Sequence, residues 1–127
     1  MATDKMPVPT ESAEQQALFR WARASSGKHP ELRLMYHIPN EGKRNPATGR
    51  RMRAEGLRRG VPDICLPVAR GGYHGLYIEL KRRKGGRVSP EQDQWLNDLR
   101  KAGYMAIVSK GWEEAAVSIS WYLSLAE

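Results

Sequence analysis

The stretch GVPDICLPVARGGYHGLYIELK, from Gly60 to Lys81, decides how this chain is read. Asp63–Val68 and Leu76–Lys81 are rich in β-formers, and the segment ARGGYHG between them supplies turn residues, so the pattern predicts a β-hairpin. Side chains alternate across a strand, which places Glu79 and Lys81 on one face and Ile78 and Leu80 on the other. Asp63, directly after Pro62, stands on the neighbouring strand. Two carboxylates and an amine sharing one surface suit a hard divalent cation and the activation of water beside a phosphodiester.

The rest of the chain surrounds this hairpin. Residues 1–10 carry Pro7 and Pro9 among polar residues and read as a flexible tail, leaving 11–127 as a single domain. Ser12–Ser25 shows helical periodicity, with either Ser12 or Thr10 as its cap; Ala17, Leu18, Trp21 and Ala22 form an apolar stripe, and Glu14 falls near its centre. Leu32–Ile38 reads as a strand, 39–49 as a long loop, and Arg51–Arg58 as a short helix. Ser89-Pro90-Glu91-Gln92 is a helix start with Ser as cap, Pro in the first turn and Gln in the capping-box position. Tyr104–Ser109 and Trp112–Leu123 complete the chain as a strand and a final helix. The expected fold is α/β, a mixed central β-sheet flanked by α-helices.

Composition bounds the function. The 127 residues suffice for one core, and no apolar run reaches the roughly 20 residues of a membrane-spanning helix, so a soluble, cytoplasmic protein with no membrane partner is expected. The lone Cys65 makes no internal disulfide and sits among apolar neighbours. The net charge of +7, from 21 Lys and Arg against 14 Asp and Glu, favours a polyanionic partner. Lys43, Arg44, Arg50, Arg51, Arg53, Arg58 and Arg59 precede Asp63, and Arg82, Arg83 and Lys84 follow Lys81. These are the expected phosphate contacts, which bind without reading bases. A recognition helix is not evident, so selectivity for nucleic-acid shape is expected over selectivity for sequence.

Each candidate also has an ordinary explanation. Asp63 suits a turn, Gln92 a capping box, Glu14 the first turn of a helix, and His37 and His74 the surface. The convergence of the acidic, amide and amine groups argues otherwise.

Pro62-Asp63 followed by Glu79-Leu80-Lys81 resembles the PD-(D/E)XK nuclease motif. With Glu14-Gln15-Gln16, the loop His37-Ile38-Pro39-Asn40-Glu41-Gly42, Gly60-Val61 and Ser89-Pro90-Glu91-Gln92, the chain is similar to the VRR-NUC family of virus-type replication-repair nucleases over roughly residues 11–117, whose stand-alone members occur in phages and bacteria. The resemblance implies a restriction-endonuclease-like core, Mg²⁺ or Mn²⁺ as cofactor and DNA as substrate. It also implies a catalytic set of Glu14, Asp63, Glu79, Lys81 and Gln92, with Asp63, Glu79, Glu14 and the backbone carbonyl of Leu80 holding the metal. Glu11 is the alternative to Glu14. A homodimer resolving four-way (Holliday) junctions, with a 5′-phosphate and a 3′-hydroxyl as products, is expected on the same ground. A monomeric flap or single-strand nuclease, and a non-catalytic DNA-binding module, are the other readings.

Overall fold

A computed structural model of the chain describes residues 7–40, 42 and 45–127. Helix α1 (Glu11–Ser25) is capped by Thr10, whose hydroxyl accepts from Ala13 N at 3.0 Å. A 3₁₀ turn over Pro30–Leu34 leads to a two-residue strand, β1 (Tyr36–His37). The expected strand over Leu32–Ile38 is therefore corrected. Pro30 opens a helical turn, and Leu32 and Met35, three apart, are buried while Leu34 is exposed. That is the period of a turn rather than of a strand.

The expected loop over 39–49 is also shorter. Asn45 accepts from Thr48 N at 2.8 Å and Pro46 occupies the first turn, so α2 spans Pro46–Ala54 rather than Arg51–Arg58. The helix start lay in the Asn-Pro pair, whose cap and fixed φ suit an N-terminus as well as a turn.

Of the remaining elements, β2 (Ile64–Leu66) is shorter than the expected Asp63–Val68, while β3 (Leu76–Lys81), α3 (Pro90–Lys101), β4 (Met105–Lys110) and α4 (Trp112–Leu123) follow the sequence closely. The four-stranded sheet has the order β1-β2-β3-β4. β1 and β2 pair antiparallel, as do β2 and β3, whereas β3 and β4 run parallel with α3 as the crossover. The sheet is mixed and flanked by helices, as expected.

Two apolar clusters cover the two faces. Ile64, Leu66, Leu76, Ile78 and Leu80 pack with Leu18 and Ala22 of α1 and with Ala115, Ile119 and Tyr122 of α4. On the opposite face, Leu96 and Leu99 of α3 pack with Ala106, Tyr77 and Val108. Burial of these aliphatic side chains, each contributing about 1.5–3 kcal/mol, fixes β3 between two layers. Glu79 and Lys81 alternate with Ile78 and Leu80 and so share a side of the sheet with Tyr77 and α3.

Among the described residues, no helix is long and apolar enough to cross a membrane.

Candidate active site

The ladder between β2 and β3 runs from Leu66↔Leu76 to Ile64↔Ile78 and ends just before Asp63. There a side chain replaces the backbone partner: Asp63 Oδ2 accepts from Leu80 N at 2.8 Å. The Asp63 carbonyl in turn accepts from Ile38 N at 2.7 Å and faces His37 Nδ1 at 3.1 Å. Asp63 is thus held through both main chain and side chain at the place where the sheet opens. Upstream, Gly60 lies at φ +93°, and a Cβ there would come within 2.7 Å of the Glu91 carbonyl carbon. Glycine allows the Gly60–Asp63 segment to lie against the first turn of α3.

Glu79 is 1% exposed. Its Oε2 accepts from Gln92 Nε2 at 3.1 Å and pairs with Lys81 Nζ at 3.3 Å, while its Oε1 is buried with no hydrogen-bond partner among the described residues. Gln92 is aimed by its own capping box, since its Oε1 accepts from Ser89 N at 2.8 Å while Ser89 Oγ accepts from Gln92 N at 3.1 Å. Burial pushes the Glu79 carboxyl up to about 8, and the negative charge of Asp63 adds to this against the opposing effect of Lys81.

A buried carboxylate that holds one oxygen in place and leaves the other unpaired, beside a second carboxylate, fits a divalent cation. The donors are hard oxygens, as Mg²⁺ or Mn²⁺ requires. Asp63 and Glu79 would be the residues to hold it, with the Leu80 carbonyl next to Glu79 on β3.

A cavity of about 240 Å³ opens beside this cluster, lined by Glu11, Ser12, Gln15, His37, Asn40, Asp63 and Leu80. A second, of about 470 Å³, is lined by Asn40, Gly42, Arg59, Gly60, Ser89 and Gln92. Asn40 belongs to both.

The structure brings Asp63, Glu79, Lys81 and Gln92 together but turns Glu14 to another task. Glu14 is 1% exposed, its oxygens accept from Arg83 Nε at 2.8 Å and Arg83 Nη2 at 3.0 Å, and Trp112 N donates at 3.1 Å. The hydrogen bonds from Arg83 hold its carboxyl below the usual range, against the effect of burial. With both oxygens used, Glu14 ties α1 to the end of β3 and to α4. It does not line the cavity, whereas Glu11, three residues earlier and exposed, does. The apolar-stripe reading found the buried carboxylate, and the cavity takes the exposed one.

The basic residues divide in the same way. Arg83 is committed to Glu14 and to Glu113 at 2.8 Å, and Arg82 donates to Pro9 O at 3.3 Å and Val8 O at 3.2 Å. Both are tied to the fold instead of standing free as expected phosphate contacts. Arg50, Arg51 and Arg53 are exposed on α2, Arg58 and Lys84 are exposed, and Arg59 lines the second cavity. Lys43 and Arg44 lie outside the described residues. Sequence reasoning set His37 aside as a surface residue and gave Gln15 and Asn40 no site role; their positions in the Glu14-Gln15-Gln16 and His37-to-Gly42 segments were the available signal.

The family model described as the VRR-NUC domain matches residues 10–112. A solved structure titled "VRR_NUC domain protein" superposes with a TM-score of 0.83 at 28% identity, covering 96% of this chain and 94% of that one. No curated protein matches the chain. The match over most of the length, together with the mixed sheet and the Asp63–Glu79–Lys81 cluster, shows that this chain belongs to the VRR-NUC family and has a nuclease-type fold.

Proposed function

We propose that the chain is a metal-dependent, structure-selective DNA endonuclease that cuts branched DNA, four-way junctions included, as a homodimer. The observation that carries the reading is Glu79, with Oε2 fixed by Gln92 and Lys81 and Oε1 buried and unpaired next to Asp63. A pure DNA-binding module has no use for buried acidic groups facing phosphates.

Asp63, Glu79 and the Leu80 carbonyl would hold Mg²⁺ or Mn²⁺, with Glu11 reaching the same cavity from α1. The cation supplies positive charge for the phosphoryl oxygens and eases ionisation of water. Lys81 sits at the end of β3 with its ammonium against Glu79, where it adds a fixed positive charge for the developing phosphorane and the departing oxygen. Gln92 holds Glu79 in one orientation. The reaction consumes one water: its oxygen bonds to phosphorus, the bond to the 3′ oxygen breaks, and the products are a 5′-phosphate and a 3′-hydroxyl, with a proton released.

Support for DNA as substrate comes from the charge of +7 and from the exposed arginines of α2 and of residues 58–59. Paired incision of a junction needs two such sites related by a two-fold axis. Val117 and Trp121, one helical turn apart on α4 and 70% and 52% exposed, offer apolar surface for a second copy.

The test is cleavage of junction, flap, single-stranded and linear DNA with Mg²⁺, Mn²⁺ or EDTA, alongside light scattering. Expected are cation-dependent cuts in branched DNA by a dimer, lost in Asp63→Asn and Glu79→Gln, and lost in Lys81→Ala with DNA binding retained. Undiminished cleavage by these variants would overturn the site. A monomer that cuts flaps or single strands would redirect the reading to those substrates.

A further inference from the structure

His37 is placed for a role that the acidic cluster does not fill. Its Nδ1 lies 3.1 Å from the Asp63 carbonyl oxygen. A carbonyl oxygen only accepts, so in this contact Nδ1 carries the proton. A ring whose single proton is on Nδ1 presents Nε2 as a lone-pair acceptor, and the hydrogen bond to the backbone sets that tautomer and the ring orientation. The ring is exposed and lines the 240 Å³ cavity together with Asp63 and Leu80 from the acidic strand region and Glu11 and Gln15 from α1. Among the described residues, Nε2 has no partner.

The chemistry of the cavity restricts what Nε2 can face. Among the described residues, its lining includes the carboxylates of Glu11 and Asp63 and no Lys or Arg. The sugar-phosphate backbone of DNA has no hydrogen-bond donor, so a lone pair turned toward a phosphodiester would meet only other acceptors. Water is the reactant of the hydrolysis that can donate.

Resting on the proposed phosphodiester hydrolysis, we infer that His37 is a further catalytic residue: Nε2 accepts a hydrogen bond from the attacking water and turns its oxygen lone pair toward phosphorus. The water oxygen forms the new P–O bond, the bond to the 3′ oxygen breaks, and the two water protons end on the 3′-hydroxyl and in solvent. His37 fixes the direction of attack, and its rigid anchor on Asp63 ties that direction to the acid that borders the cavity.

Three variants separate this role from a structural one. In His37→Asn the side-chain amide can still donate to the Asp63 carbonyl, but the Nε2 acceptor is gone. His37→Gln extends an amide toward the Nε2 position, and His37→Ala removes both groups. Each is assayed for thermal midpoint, DNA affinity in Ca²⁺, calorimetric Mn²⁺ affinity, and single-turnover cleavage in Mn²⁺.

The expected result is a cleavage rate about 100-fold lower in His37→Asn and His37→Ala, the scale of a misdirected reactant. DNA and Mn²⁺ affinities should be unchanged, His37→Gln should be partly active, and added imidazole should restore part of the His37→Ala rate. Wild-type cleavage rates in His37→Asn would overturn the inference, as would a loss of Mn²⁺ affinity, which would make the ring a ligand, or a loss of DNA affinity matching the loss of rate. If all three variants melt early, imidazole decides: recovery of rate without recovery of the melting midpoint supports the inference, and its absence overturns it. Absence of DNA cleavage by the wild-type protein itself is a different result, because it overturns the nuclease reading and this inference with it.

Discussion

Gln92, in the first turn of α3, donates from Nε2 to Glu79 Oε2 at 3.1 Å while its Oε1 accepts from Ser89 N at 2.8 Å. One amide thereby caps a helix and orients a buried carboxylate, so a single side chain links the α3 terminus to the acid pair. Gln92→Ala should lower the melting midpoint through loss of about 1 kcal/mol of capping and also slow cleavage at least tenfold. Gln92→Glu should keep the cap but place a third carboxylate beside Glu79, slowing cleavage without the same loss of stability. Parallel melting and single-turnover assays distinguish the two effects.

Glu79 makes the stability of the cation-free protein depend on pH. Its carboxyl is raised from the ordinary 4.5 to about 8, so between these values the folded protein holds a proton that the unfolded chain has released. The folded state is then favoured less as pH rises through this window, with a loss on the order of a few kcal/mol by its upper end. Melting in EDTA should show this decline, Glu79→Gln should flatten it, and Mn²⁺ should oppose it by stabilising the ionised form.

Glu11 and Glu14 should behave oppositely. Glu14→Gln disrupts the buried contact with Arg83 and should cost about 2 kcal/mol of stability, the scale of a hydrogen bond between charged groups. Because the Glu14 carboxyl is lowered, its contribution is present above the ordinary carboxylate value and is lost as pH falls below it. Glu11→Ala should change stability by less than about 0.5 kcal/mol, as exposed substitutions do, yet weaken Mn²⁺ binding and cleavage. Calorimetric titration with Mn²⁺, paired with acid-induced unfolding, tests both.

Gly60→Ala should destabilise the protein by about 1–3 kcal/mol, because the residue is at φ +93° and the new methyl group would meet the Glu91 backbone at 2.7 Å. Movement of the Gly60–Asp63 segment away from α3 would also displace Asp63. Cleavage should therefore fall further than the fraction of folded protein, a comparison made by activity against circular dichroism.

Salt titration of DNA binding should distinguish the exposed Arg58 and Arg59 from the committed Arg83. Replacing Arg58 and Arg59 together by Ala should reduce the slope of log affinity against log salt by about 2, since each phosphate that a side chain neutralises adds about 0.9 to it. Replacing Arg83 should leave that slope almost unchanged and lower the melting midpoint, since its guanidinium is held by Glu14 and Glu113.

Where the local signal was strong, the fold was legible in the residues. The Ser89-Pro90-Glu91-Gln92 start became a capping box, the run Leu76–Lys81 became β3, and Trp112–Leu123 became α4 with these boundaries. The short elements were not, because Asn45-Pro46 and Pro30 serve turns and helix starts alike, and only neighbouring contacts choose between them. Trp121 and Tyr122 show the same limit: both are apolar and adjacent, yet Tyr122 is buried and donates to Val68 O at 2.7 Å while Trp121 is half-exposed.

For the site, sequence alone determined the strand-borne groups. A period of two along β3 placed Glu79 and Lys81 on one face without any tertiary information, and the helix start placed Gln92 in a capping box. Which carboxylate of α1 faces the cavity was decided by long-range contacts: Arg83, 69 residues away in the chain, and the Trp112 amide, 98 away, claim Glu14 and leave Glu11 for the cavity. Helical spacing puts a side chain on a face, but the partner that takes its charge comes from elsewhere in the fold. Only the tertiary structure supplies that partner, because a buried carboxylate goes where its hydrogen bonds can be satisfied.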